Sequence, residues 1–380
     1  MIYFDNASTS YPKPPGVACH LSHIYDEPLG SYGRSRDTHT LELSTMVEEL
    51  RDLLAALIGA EGQGSHIIFT KNATEAINTV IRGLDGLRKE EVLISPLEHN
   101  AVMRPLDALE GTHAPWMFPF YPDGSINLEE SAQFLSQLEG IRLCVLNAMS
   151  NLNGVIQPIR EVSALVKKYL PNCLILIDGA QALPYIDVEA EKGEIDFVAI
   201  TGHKGLMGPV GTGALFIRDP KSIAPLIRGG NGYHSEQLSD TDHMPERFEA
   251  GTINLLGHST WYIGMKERPQ QPLISQAEFY RFIQRIRGEL PYKVLCADNV
   301  ERQGPVFSLL PDRGSVERLS DELYYNYGIA TRFGLHCAAI AHRTLGTLQT
   351  GATRISLSRY NTPDELDTLF EALTTLSNRH

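Results

Sequence analysis

Residues 174–181 read Leu-Ile-Leu-Ile-Asp-Gly-Ala-Gln, four consecutive apolar residues ending in a carboxylate. An apolar run without alternation is what a strand buried on both faces requires, and such strands belong to parallel sheets covered by helices. Working outward, short β-type runs recur at 66–70, 91–95, 142–146 and 197–201, separated mostly by segments long enough for a crossover helix. Upstream, Leu43, Met46, Val47, Leu50, Leu53, Leu54, Leu57 and Ile58 fall at three- and four-residue intervals before Gly59, which predicts one long amphipathic helix. Strand and helix in alternation predict an α/β fold with a mainly parallel central sheet flanked by helices. In such sheets ligands gather beyond the C-terminal strand ends.

The rhythm breaks at Glu-Arg-Pro-Gln-Gln-Pro, residues 267–272, which has the composition of a linker. Beyond it the pattern predicts a helix over 276–289, strands near Lys293 and Val306, a helix over 316–327, strands at 328–331 and 352–357, and a last helix. Thr362 is the expected N-cap of that helix, with Pro363 at its first position, Glu365 completing a capping box, and Leu366, Leu369, Phe370 and Leu373 as the buried stripe. The expected division is a large α/β domain over 16–262 and a smaller α+β domain made of 1–15 and 263–380.

A chain of 380 residues is too long for one small module and long enough for two or three domains. With 42% hydrophobic and 21% charged residues it is neither disordered nor fibrous. The net charge of −13, with no cluster of Lys and Arg longer than a pair, argues against a nucleic-acid face. Five widely spaced cysteines without a Cys-x-x-Cys pair suit a reduced, cytoplasmic protein. No run approaches a membrane span, and the first residues lack the apolar stretch of a signal peptide.

Three chemistry-bearing segments stand at the ends of expected strands. The run IFTKNATEAINTVIRGL passes from strand to helix through Thr70, Asn72 and Thr74, leaving backbone N–H groups and hydroxyls at a helix N-terminus. That suits a phosphate, and ordinary capping explains it equally well. Asp178 ends its buried strand, where a carboxylate pairs with a cation, a metal or a ribose, or caps a helix. In DFVAITGHKGLMGPVGTGALF, His203 and Lys204 follow another strand among glycines. A lysine in a small apolar setting loses part of its preference for the charged form and becomes a base or a Schiff-base nucleophile. The glycines there match neither the P-loop nor the dinucleotide spacing. An anion cradle, an acid and an activatable lysine on one sheet edge are together what pyridoxal phosphate requires, for its phosphate, its pyridinium nitrogen and its aldehyde. His99, in ISPLEHNAV after a further strand, is placed to lie against the ring; a surface histidine is the competing reading.

From YFDNAST at 3–9 to RISLSRYNT at 354–362, the sequence resembles the class V aminotransferase family of fold-type I pyridoxal phosphate enzymes, and most closely its cysteine desulfurase and selenocysteine lyase branch. The motifs that carry this are TGHKG (201–205), DGAQ (178–181), FEAGT (248–252) and RFGLHC (332–337), and the stretch 262–300 is the weakest. The resemblance implies that Lys204 holds the cofactor, Asp178 pairs with its ring nitrogen and His99 stacks on the ring. It further implies that Thr74, Thr201 and His203 bind its phosphate, that Glu75 belongs to the cofactor site, that Gln181 faces the ring oxygen, and that Asn151 touches ring or substrate. Arg354, with Arg332, would bind the substrate carboxylate, a task suited to a planar bidentate donor. The loop with Gly251 and Thr252 would reach the partner's phosphate, which implies a homodimer. No metal is expected.

Cys337 discriminates among reactions. The small buried hydrophobe is the ordinary reading of any cysteine. Here Arg332 and His336 favour a thiolate, while Gly334 and Ala338 allow movement. A metal site on His336, Cys337 and His342 lacks a second ligand cluster. The expected activity is therefore a transferase of the cysteine desulfurase kind, converting L-cysteine to alanine with a persulfide on Cys337 and possible transfer to an acceptor protein. The alternatives are selenocysteine cleavage, elimination, epimerisation or transamination of an amino acid, or a cofactor-binding sulfur-relay or regulatory protein. Two departures from the family pattern stand out. Asp37 and Thr38 interrupt GSYGRSRDTHTLEL, leaving Arg34, Arg36 and His39 without an assigned role, and two alanines follow Cys337.

Overall fold

The computed structural model describes all residues except 193, 233–235, 237, 240, 379 and 380. In chain order the first part holds β1 (Ile2–Tyr3), α1 (Pro15–His23), α2 (Thr38–Leu57), β2 (Ile67–Thr70), α3 (Ala73–Gly83), β3 (Val92–Ile94), α4 (Asn100–Asp107) and β4 (Trp116–Met117). There follow α5 (Leu128–Leu135), β5 (Leu143–Asn147), α6 (Ile159–Tyr169), β6 (Leu174–Asp178), β7 (Phe197–Thr201), β8 (Gly213–Ile217) and α7 (Leu255–Glu267). The last part comprises α8 (Gln276–Glu289), β9 (Tyr292–Leu295), β10 (Val306–Pro311), α9 (Val316–Tyr327), β11 (Ile329–Ala330), β12 (Arg332–Gly334), α10 (Ala339–Thr344), β13 (Ala352–Ser356) and α11 (Pro363–Ser377).

Among the described residues, a seven-stranded sheet runs in the order β2-β8-β7-β6-β5-β3-β4, parallel from β7 to β4. The strand β8 is antiparallel to both neighbours. The quoted run is buried on both faces as expected: Ile175 and Ile177 belong to one hydrophobic core, and Leu176 to the other. A second sheet, β12-β13-β10-β9, is antiparallel. It is served by a separate core that includes Phe4, Phe279, Phe307, Leu369 and Leu373. This is the expected fold: fold-type I, with a mainly parallel α/β part and a smaller α+β part.

Three details differ from the sequence expectation. The helix read from Leu43 begins at Thr38, because the Asp37 carboxylate accepts the Thr40 N–H at 2.8 Å as its N-cap. Asp37 is thus the helix start. The boundary drawn at 262/263 falls inside α7, which packs on α2 and α1 and places the fully buried Trp261 in a core of the large sheet. The break in regular structure comes after Glu267, in the linker 267–272. Third, the N-terminal stretch pairs with the smaller part through β1 and β11 and an Asp5 to Ser356 bridge, yet also hydrogen-bonds to the loop after β7 at His203. Among the described residues no helix is long and apolar enough to cross a membrane.

Candidate active site

The C-terminal ends of β5, β6 and β7 carry Asn147, Asp178 and Thr201 into one cavity of about 210 Å³, which Thr74, His99, Asn151, Gln181, His203 and Lys204 also line. Eight of the residues expected to hold a cofactor therefore meet: Thr74, His99, Asn151, Asp178, Gln181, Thr201, His203 and Lys204. At the head of α3, Asn72 accepts the Glu75 N–H at 3.0 Å. The earlier N–H groups, at Ala73 and Thr74, have no intrahelical partner by the geometry of a helix start, and both residues line the cavity.

Lys204 sits in a loop with little room. A Cβ on Gly205 would lie 2.6 Å from the Leu183 carbonyl oxygen, and one on Gly208 would lie 2.6 Å from Trp261. Burial pulls the Lys204 amine down to about 8, with Asp178 opposing and Arg354 adding to the fall. Asp178 is itself raised by burial, while the Ala180 N–H it accepts at 3.0 Å and Lys204 pull the other way. His99 is the N-cap of α4. Its Nδ1 accepts the Ala101 N–H at 3.0 Å, so the neutral ring carries its proton on Nε2. Burial, then Lys204 and Arg354, lower its pKa to about 4.

Cys337 lies outside the cavity wall, exposed on the loop between β12 and α10. Its backbone is pinned there: the Cys337 carbonyl accepts the Asn100 N–H at 2.7 Å, and the His336 carbonyl accepts the Asn151 Nδ2 at 2.8 Å. His336 and Cys337 both have positive φ, at 49° and 55°, a left-handed conformation costly for residues with a side chain. Cys337 is close enough to Lys204 to influence its titration. His336 and His342 form a stack, with ring centroids 5.9 Å apart.

Arg354 is buried on β13. It pairs with Asp5 at 2.7 Å and donates to Ser8 Oγ at 2.8 Å and to the Asn151 carbonyl at 3.1 Å, while its Nε has no partner. Arg332 is exposed and donates to the same Ser8 hydroxyl. Glu75, Gly251 and Thr252, also expected at the cofactor site, line a different groove. Glu75 turns back to accept the Lys71 N–H at 2.5 Å. Gly251 and Thr252 line that second groove of about 730 Å³, together with Arg34 and His258. Arg34 donates to the Asn231 carbonyl there, while His39 Nε2 lies 3.1 Å from the Ile24 carbonyl oxygen.

Sequence reading passed over Glu98, Lys13 and Asp5. Glu98 is fully buried beside the cavity: its Oε1 accepts the Ser95 hydroxyl at 2.5 Å and the Asn147 N–H at 2.8 Å, and burial raises it to about 8. An acid directly before a site histidine was the available signal. Nothing in the local pattern announces that its side chain is buried.

The family profile described as Aminotransferase class-V matches residues 2–369, and the chain belongs to that family. A probable cysteine desulfurase of Methanothermobacter thermautotrophicus is 29% identical, over 98% of this chain and 94% of the relative. A probable cysteine desulfurase of Pyrococcus abyssi is 30% identical, over 98% and 93%. The apo structure of a cysteine desulfurase from Thermococcus onnurineus superimposes with a TM-score of 0.88 at 26% identity, covering 100% of this chain and 95% of that one.

Proposed function

We propose that this protein is a pyridoxal phosphate-dependent cysteine desulfurase that converts L-cysteine to alanine and leaves the sulfur as a persulfide on Cys337. The observation that carries the reading is one cavity uniting Lys204, Asp178 and His99 beside the pinned loop of Cys337. The donors suit the cofactor: the α3 N-terminus with Thr74, Thr201 and His203 for its phosphate, Asp178 for its ring nitrogen, His99 for its ring face and Lys204 for its aldehyde. The buried Oδ1 atoms of Asn147 and Asn151, which line the cavity without a partner, support a polar occupant. When bound, the cofactor supplies an electron sink for the substrate α-carbon.

The residues divide the remaining work. Arg354, whose Nε is unsatisfied, binds the substrate carboxylate with Arg332 near it. Lys204 Nζ, neutral above about pH 8, takes the α-proton and later returns a proton to the product carbon. The Cys337 thiolate attacks the substrate sulfur. An S–S bond forms as the C–S bond breaks, and the electron pair of that bond stays with carbon, which is protonated to give alanine. In this reading Thr252 completes the phosphate site of a partner in a homodimer, a sulfur acceptor takes the persulfide, and the thiol chemistry belongs in the reducing cytoplasm. Incubation with L-cysteine and reductant is expected to give equal sulfide and alanine in the wild type. Cys337→Ser should release almost none, and Lys204→Ala should lack the visible absorbance of lysine-bound cofactor. Normal sulfide release by Cys337→Ser would overturn the assignment.

A further inference from the structure

The N-terminal segment contributes a lysine that the proposed reaction leaves unused. Lys13 is half-buried beneath the loop that carries Lys204, and its ammonium has no carboxylate within ion-pair distance among the described residues. Its Nζ instead donates to Ser10 Oγ at 2.7 Å, to the His203 carbonyl at 3.0 Å and to the Gly208 carbonyl at 2.8 Å. Those two carbonyls bracket Lys204. The Ser10 hydroxyl, which accepts from Lys13, lies 2.8 Å from the Lys204 carbonyl and 3.1 Å from that of His203, so its one proton serves the nearer oxygen. The Ser10 N–H adds a bond to His203 at 3.0 Å.

The loop has two backbone bonds of its own, from the Met207 N–H to the Lys204 carbonyl at 2.9 Å and from the Gly208 N–H to the Gly202 carbonyl at 2.8 Å, and neither engages the carbonyls that Lys13 holds. Met207 has a φ of 60°, in the left-handed region, and Gly205 and Gly208 are pressed against Pro184 and Trp261 with no space for a Cβ. A backbone in that state persists when its surroundings over-determine it. A cation meeting only neutral oxygens gains less than one paired with an acid, and burial alone pulls Lys13 down to about 8. A neutral side chain would cost less there unless the carbonyl contacts serve the loop.

We propose that Lys13 is a positioning residue, whose ammonium clamps the carbonyls of His203 and Gly208 and thereby fixes where the Lys204 amine stands against bound pyridoxal phosphate. The proposal rests on the cofactor reading above. The test compares wild type, Lys13→Met, Ser10→Ala and the surface control Lys168→Met as full-length proteins titrated with pyridoxal phosphate. Lys13→Met is expected to bind the cofactor at least about tenfold more weakly, and at saturation to show a smaller visible circular dichroism signal. Its kcat should fall about tenfold with KM within about threefold, since a displaced base slows chemistry more than binding. Ser10→Ala should shift all three in the same direction by about threefold, and it carries the test if Lys13→Met does not fold. Lys168→Met should match the wild type.

A structural brace alone would lower the melting temperature of Lys13→Met but leave its saturated dichroism and kcat as in the wild type. That result overturns the proposal, as does unchanged cofactor affinity. Wild-type protein that takes up no pyridoxal phosphate overturns the cofactor reading itself, and this proposal with it.

Discussion

Glu98 shows how a side chain outside the cavity wall can shape the site. Its Oε2 is a buried acceptor without a donor, and a proton on Glu98 removes the charge that burial there disfavours. Below about pH 4.5 the acid is protonated in folded and unfolded chains alike, so pH does not affect folding through it. Between there and about 8 only the unfolded chain releases the proton, and stability falls as pH rises. Glu98→Gln removes that slope. Denaturant melts are therefore expected to show the variant gaining on wild type from pH 5 to pH 8, by at most about 1.4 kcal/mol per pH unit. A constant difference across that range would mean Glu98 is ionised in the folded chain. Asp178, Lys204 and His99 were legible because motif and strand end coincide in the sequence. Glu98 was not, since a carboxyl's burial is decided by the packing of β3, β5 and α4 and by no local pattern.

Among the elements, α2 and the loop 248–252 are joined by a buried pair. Arg51 donates to both Glu249 oxygens, at 2.8 and 2.9 Å, and lies over the Phe69 ring, while Glu249 also accepts the Phe69 N–H at 2.6 Å. Removing one partner of such a pair strands the other. Arg51→Ala is expected to cost about 3–5 kcal/mol in urea unfolding and to loosen the loop that bears Thr252. The element with an explicit end signal was read closely: α11 starts after Thr362, whose N–H donates to Glu365 at 3.0 Å. Others left no such mark. The strand β8, buried throughout, follows a glycine-rich loop and returns antiparallel without a crossover helix, which breaks the strand–helix alternation, and β12 is a short segment with Arg332 and Phe333 exposed and so shows no burial pattern. Replacing Gly208 by alanine should leave the fold intact, as judged by far-UV dichroism. Turnover should still fall at least about tenfold, because Trp261 leaves no space for the added carbon and the lysine loop must shift.

On the scale of the whole molecule, Thr252 and Lys204 lie in different hollows of one chain, which the dimer reading explains by exchange between subunits. Lys204→Ala and Thr252→Ala proteins, each impaired alone, should regain roughly a quarter of wild-type activity when unfolded and refolded together in equal amounts. Random pairing makes half the dimers mixed, and each mixed dimer holds one intact site of two. No recovery would place Thr252 in its own chain's chemistry. The N-terminal stretch has a consequence of another kind. Asn6 bonds to the Ser356 carbonyl 350 positions away, and β1 pairs with β11. During synthesis those first residues leave the ribosome long before anything exists for them to join. Arg354 likewise meets Asp5 only when β13 has emerged, so the order of translation forbids an active nascent chain.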